Sequence, residues 1–228
     1  MRVQSLVLCG VAVMCLTGCP SFSTMGLARP LKPGSMQIVI APEAEGGTIN
    51  GPTGQATGFV PQGELALRYG VNDWFELGAK IWLIGAALEG KFGLLRSPTM
   101  DGGLDLSVAP SLSYLGITSS SGTLSLSTIS VPLLVGINFG GNQLVLAPKV
   151  VDVIGAGPGG ISHLITVGTS LGLALKLGPE FRLMPEITLI YPTAGQSFGG
   201  ILEPPIVQLA LGMMFGGSYE ASQQVPPP

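Results

Sequence analysis

Between residues 35 and 215, apolar and polar side chains alternate with a period of two, the pattern of a strand with a different environment on each face. In the stretch 104–114, Leu104, Leu106, Val108, Leu112 and Tyr114 share one face, and Asp105, Ser107, Ala109, Ser111 and Ser113 the other. Ile129, Val131, Leu133, Val135, Ile137 and Phe139 align in the same way. So do Ile165, Val167, Leu171, Leu173 and Leu175, then Phe181, Leu183, Ile187, Leu189 and Tyr191, then Val207, Leu209, Leu211, Met213 and Phe215. The pattern predicts ten strands, at about 35–44, 63–71, 73–83, 85–96, 102–115, 127–139, 142–153, 162–177, 179–191 and 205–215. Most are close to the ~9–11 residues that a tilted strand needs to cross a bilayer.

The connections alternate in length. Gly70-Val71-Asn72-Asp73, Gly140-Gly141-Asn142 and Leu177-Gly178-Pro179 are tight turns, and the link over 97–103 is short. Longer Gly- and Ser-rich connections are expected at 45–62, 116–126, 154–161 and 192–204, while the link between the third and fourth strands is brief. Short turns at one end and long loops at the other is the layout of a transmembrane barrel, with the short turns periplasmic. A weak repeat runs through alternate strands: Ile40-Ala41-Pro42, Val108-Ala109-Pro110, Leu146-Ala147-Pro148 and Leu183-Met184-Pro185, with Leu77-Gly78-Ala79 in the matching place. Proline disrupts a strand ladder, so bulges or kinks are expected at that level.

Composition narrows the class. Glycine (35) and proline (19) are too frequent for a helical bundle. With 46% hydrophobic and 10% charged residues the chain is not disordered. Ten Lys and Arg against thirteen Asp and Glu, with no basic run, exclude a nucleic-acid binder. The charges are segregated by phase. Glu64, Arg68, Glu76, Lys80, Glu89, Lys91, Asp105, Lys149, Lys176, Glu180, Arg182 and Glu186 all lie on the polar face of their strands, six acids and six bases. The apolar face carries charge only at strand ends, at Asp73, Arg96 and Asp152. A Lys or Arg on the lipid face costs roughly 2–4 kcal/mol at mid-bilayer and little at the interfaces. In a membrane, the twelve charges therefore face the barrel interior, where balanced signs suggest cross-linking ion pairs rather than a path for substrate. Trp74 and Trp82, flanking the third strand, are expected as interfacial anchors.

The N-terminus reads MRVQSLVLCGVAVMCLTGC. Arg2 followed by the apolar stretch Leu6–Leu16 is the layout of a secretory signal peptide, and the stretch is too short to span a membrane as a helix. It ends in Leu16-Thr17-Gly18-Cys19, which resembles the bacterial lipobox. That resemblance implies cleavage after residue 18 and acylation of Cys19. Cleavage there would discard Cys9 and Cys15, leaving one thiol and no intrachain disulfide. The expected organisation is a lipoprotein signal peptide (1–18), an acylated tether (19–34), a barrel (35–215) and a flexible tail (216–228).

Chemical motifs are sparse. His163 is the only histidine, next to Ser162 and with Asp152 at the preceding strand end, and is expected to be a solvated loop residue. Glu180 and Glu186 sit among cations, which suits structure better than glycoside hydrolysis. Gly155-Ala156-Gly157-Pro158-Gly159-Gly160 lacks the lysine and helix of a phosphate loop. No catalytic residue, metal or cofactor is expected.

Over residues 35–215 the chain resembles a Gram-negative outer-membrane β-barrel, and its last strand, ending at Phe215, is similar to the barrel-assembly signal of that class, although 13 residues follow. The resemblance implies an all-β fold, a closed antiparallel up-and-down transmembrane barrel of about ten strands, in the outer membrane and lipid-anchored at Cys19. The expected role is structural, adhesive or narrow transport. Expected partners are membrane lipid and the barrel-assembly and lipoprotein-processing machineries, with no nucleic acid and a monomeric state. Two other readings stay open: a soluble, lipid-anchored barrel that binds an apolar ligand, and a barrel enzyme acting on lipid or surface peptide.

Overall fold

The computed structural model describes residues 21–51, 54–119, 122–157, 160–195 and 203–219. The expected signal peptide and Cys19 lie outside them. Eleven strand segments follow one another: β1 (Met36–Gly51), β2 (Gly54–Asn72), β3 (Phe75–Trp82), β4 (Gly85–Leu95), β5 (Gly102–Val108), β6 (Ser111–Ser119), β7 (Gly122–Phe139), β8 (Asn142–Gly157), β9 (Gly160–Lys176), β10 (Phe181–Gly195) and β11 (Glu203–Gly216). All pairings are antiparallel, and β1 pairs with β11 to close the sheet. The fifth and sixth segments are two halves of one barrel strand. Both pair with β4 and with β7. The barrel is therefore closed and ten-stranded, as the alternation predicts.

Ala109-Pro110 causes that division. Proline has no N–H to give the ladder. The neighbours still hold the gap, because the Ala109 amide donates to the Pro132 carbonyl and the Gly90 amide to the Pro110 carbonyl, both at 3.0 Å. The register with β7 continues unchanged, from Val108 opposite Leu133 to Ser111 opposite Ser130. The other repeated prolines behave alike. The ladder skips Ala41-Pro42 against β11, Ala147-Pro148 against β7 and Met184-Pro185 against β9, then resumes in the same register. These sites are gaps on one side of a strand rather than the expected bulges. The register shifts fall elsewhere, at Gly46/Thr48, Gly70/Asn72, Gly93/Leu95 and Pro192/Ala194.

The expected long loops are corrected too. Most of the stretches 45–62, 116–126 and 154–161 continue as paired strand, as in Thr48 opposite Thr57 and Thr118 opposite Thr123. Glycine- and serine-rich sequence lacks the alternation that marks a half-buried strand, yet backbone pairing alone carries it past the apolar belt. The asymmetry between the ends is one of strand overhang.

The apolar phase faces outward. Ile40, Leu67, Leu88, Leu112, Val131, Leu146, Leu171 and Leu209 are all exposed on the outer wall. At the short-turn end, Tyr69, Trp74, Phe92, Phe139 and Phe215 are exposed as well, with Phe75 stacked on Phe92 and Phe181 packed on Phe215. An apolar belt edged by aromatic side chains is the exterior of a transmembrane barrel. Trp82 does not belong to it. It shares the inward parity of Glu76 and Lys80 and is buried in the lumen, 7% exposed.

Residues 21–34 are not a tether. Phe22, Met25, Leu27, Ala28, Arg29 and Leu31 are buried inside the barrel. The tail begins no more freely: Tyr219 is buried at the short-turn rim.

Candidate functional site: a lumen occupied by the N-terminal segment

The segment meets the wall first at the short-turn rim. Gly34 donates to the Gly70 carbonyl (2.8 Å), Gly70 to the Ser35 carbonyl (3.0 Å) and Lys32 to the Ser218 carbonyl (2.8 Å). A Cβ at Gly70 would stand 2.0 Å from the Lys32 carbonyl oxygen, so only glycine lets the two backbones lie this close. Gly70→Ala is expected to cost about 1–3 kcal/mol, as overpacking does. Urea unfolding of the refolded barrel checks this, and an unchanged midpoint would count against this docking.

From the rim the chain climbs the lumen toward its own N-terminus without joining any ladder. Buried backbone groups need partners, and inward side chains supply them. Carboxylates and amide oxygens accept from its N–H groups: Glu76 from Leu31 (2.8 Å), Gln143 from Ala28 (2.7 Å), Glu186 from Met25 (3.0 Å) and Thr24 (2.8 Å), Gln208 from Phe22 (2.9 Å). Cations donate to its carbonyls: Arg68 to Met25 and Thr24, Lys80 to Ser23, Lys149 to Phe22. Its apolar side chains Met25, Leu27 and Leu31 pack with Val39, Ala66, Leu134, Met184 and Met214. The lumen thus has a hydrophobic core as well as a polar one.

Most of the charges singled out by phase lie in this interior. Glu64, Arg68, Glu76, Lys80, Lys91, Asp105, Lys149, Arg182 and Glu186 are buried, and the Glu89 side chain is 12% exposed. On β2–β4 they form one network rather than separate pairs. Arg68 lies 2.7 Å from Glu89 and 3.7 Å from Glu76, Lys91 is 2.8 Å from Glu76, and Lys80 is 3.6 Å from Glu64 and 3.4 Å from Glu89. Lys176 and Glu180 depart from expectation. They flank the β9–β10 turn and are exposed, because side chains there project past the barrel edge. Arg182, two residues beyond Glu180 and within β10, donates to the Gly141 carbonyl (2.6 Å) and sits over the Tyr219 ring. Burial raises the Tyr219 phenol above its ordinary pKa, with Glu76 adding to the effect.

Several participants escape the sequence reading. Arg29 enters from the threaded segment and meets Asp105 at 3.0 Å, with both side chains almost wholly buried. Asp105 also accepts from the Ser97 amide (2.7 Å), Asn138 (2.8 Å) and Gln143 (2.9 Å). Glu43 accepts from Ser21 (3.3 Å), Gln62 (3.1 Å) and Gln208 (2.8 Å). Glu43 and the buried Glu45 share the inward parity of Gln37, which could have marked them. Nothing periodic marks Arg29.

His163 is in a strand, not a loop. It lies on β9, 58% exposed on the outward phase, with Nδ1 3.5 Å from Asp152. Ser162 falls on the opposite phase, so these three side chains do not converge. Among the described residues no group of His, Cys, Asp and Glu is placed to hold a metal.

A closed ten-stranded barrel with an apolar exterior and a lumen threaded by its own chain is a transmembrane β-barrel of the occluded kind. No family model matches the chain, and no curated protein does. Among solved structures it is similar to the outer-membrane protease OmpT of Escherichia coli, at 10% identity over 86% of this chain and 99% of that one, with a TM-score of 0.42. It is also similar to the translocator domain of the autotransporter NalP of Neisseria meningitidis (10% identity, 96% and 95% covered, TM-score 0.41). The neisserial surface protein NspA aligns at 13% identity over 79% and 95%, with a TM-score of 0.29. Identities and scores this low transfer neither activity nor residues.

Proposed function

We propose that this protein is an outer-membrane barrel held shut in its resting state by residues 21–34, with a structural or narrow-passage role in the cell envelope. The observation that carries the reading is the matched wall: inward acids, bases and amides satisfy the backbone of a segment that fills the lumen. The same side chains, without that segment, would line a polar channel. An apolar-ligand barrel fits less well, because its apolar face should point inward. The exposed apolar face argues instead for membrane lipid as the partner, with the outer-membrane assembly machinery acting before it.

The proposal includes export by the N-terminal signal and acylation at Cys19. Ser21, two residues further on, already lies in the lumen, 14 residues from Ser35 at the rim. An acyl anchor in the leaflet at the short-turn end therefore requires residues 21–34 to leave the lumen. Seating and anchoring in that leaflet are alternatives.

Conductance in planar bilayers tests the closed state. The full barrel is expected to show little ion current, and a variant lacking residues 21–34 discrete open steps. Heat-modifiable migration reports whether the deletion variant folds. If it does not, Glu186→Gln, which weakens the hold on Thr24 and Met25, takes its place and is expected to show brief openings. Equal conductance in the full chain and a folded variant would overturn the reading.

A further inference from the structure

Beside the threaded segment the lumen keeps a cavity of ≈ 40 Å³, lined by Ser21–Thr24 on one side and by β3, β4 and β6–β8 on the other. One water needs roughly 10–15 Å³, so the space suits a small solute of a few atoms. Its outer wall is a hydroxyl quartet. Ser111 stands opposite Ser130 and Ser113 opposite Thr128 on the paired strands β6 and β7. Trp82 and Lys149 flank it.

The donors are under-used. Trp82 Nε1 and Thr128 Oγ1 are buried with no hydrogen-bond partner, in residues 7% and 5% exposed. Lys149, 4% exposed, gives hydrogen bonds to the Phe22 carbonyl and to Ser170 Oγ. Among the described residues no carboxylate comes within 4.0 Å of its ammonium, whereas Lys80 and Lys91 each have one or more. The one carboxylate lining the cavity, Glu89, is already engaged by Arg68 and Lys80. An ammonium and an indole only donate, and a hydroxyl can donate. The occupant that satisfies them must accept.

We propose that this cavity is a binding site for a small inorganic anion of halide size, held by Lys149, Thr128 and Trp82. It does not require the segment ever to leave the lumen: Ser21–Thr24 form one wall of the site, so the closed barrel is the state in which it is tested, whether or not that barrel ever conducts.

Iodide serves as both ligand and quencher. In the full chain refolded in detergent, Trp74→Phe leaves Trp82 as the sole indole. At constant ionic strength, iodide is expected to quench its emission saturably, and chloride to relieve the quenching. Lys149→Met is expected to abolish the saturable component. Thr128→Val is expected to weaken it at least fivefold, and Thr128→Ser to restore it. Because loss of Lys149 also removes a hold on the segment, heat-modifiable migration accompanies each variant, and the Thr128 pair decides if Lys149→Met does not fold. Linear quenching that parallels neutral acrylamide, no competition by chloride, or unchanged saturation in Thr128→Val would each overturn the site and leave a cavity filled by water alone.

Discussion

Replacing Asp105 by alanine is expected to lower the unfolding free energy by about 3–5 kcal/mol, the range for breaking a buried ion pair from one side. The carboxylate is fully buried and holds Arg29 through two hydrogen bonds, one from Nε and one from Nη2, each at 3.0 Å. Without it the guanidinium keeps the Ser97 and Thr99 carbonyls but has no counter-charge. Asn138 and the Ser97 amide lose a partner as well. Combining Asp105→Leu with Arg29→Met should recover part of the loss, since replacing both charges of a buried pair by apolar groups is often neutral. Recovery stays incomplete because the Ser97 amide remains unpaired. Urea unfolding of the four variants in one detergent checks the cycle. A loss below about 1 kcal/mol for Asp105→Ala would mean that this network is solvated and the segment loosely held.

The second large effect lies on the other face. Leu171 is exposed on the outer wall near the middle of β9, opposite Leu146 and Ile187. Leu171→Lys is expected to destabilise the barrel in lipid bilayers by about 2–4 kcal/mol. The same change at Ile161, near the opposite strand end from the aromatic girdle, should cost about 0–1 kcal/mol. A water-facing exterior predicts near-neutral changes at both sites. Reversible unfolding from liposomes separates the two cases, and equal stabilities would remove the membrane reading while leaving the fold intact.

Both experiments rest on a facing that the sequence makes legible. Alternation states which side chains share a side, and the cost of charge in lipid states which side is inward. The same parity places Trp82 in the lumen with Lys80, although its position at a strand end invites the reading of an interfacial anchor. Strand ends were less legible. Thr48–Thr57 and Thr118–Thr123 are paired backbone without apolar alternation, so a periodicity argument stops short of them. The threaded segment is illegible for a different reason. Residues 21–34 contain three prolines if residue 20 is counted with them and show no period, so they read as linker. Their apolar members Met25, Leu27 and Leu31 were the available clue, since a solvated tether has no use for them. The phase of the strands marks the charges but not their partners. Glu186 and Lys149 serve a backbone, and no spacing along the chain reveals that.

The threaded segment also bears on the order of assembly. It bridges the first and last strands, which pair to close the sheet. Ser21 bonds Glu43 on β1, Phe22 bonds Gln208 on β11, and Met25 Sδ lies 2.7 Å from where a Cβ at Gly212 would stand. Closing β1 on β11 joins the two ends of the barrel, a contact of high sequence separation whose loop entropy is lost before any pairing repays it. A segment that makes these contacts early would give both edges a shared partner before the seam forms. Residues 21–34 would in that case be seated as the barrel closes, rather than admitted along its axis afterwards.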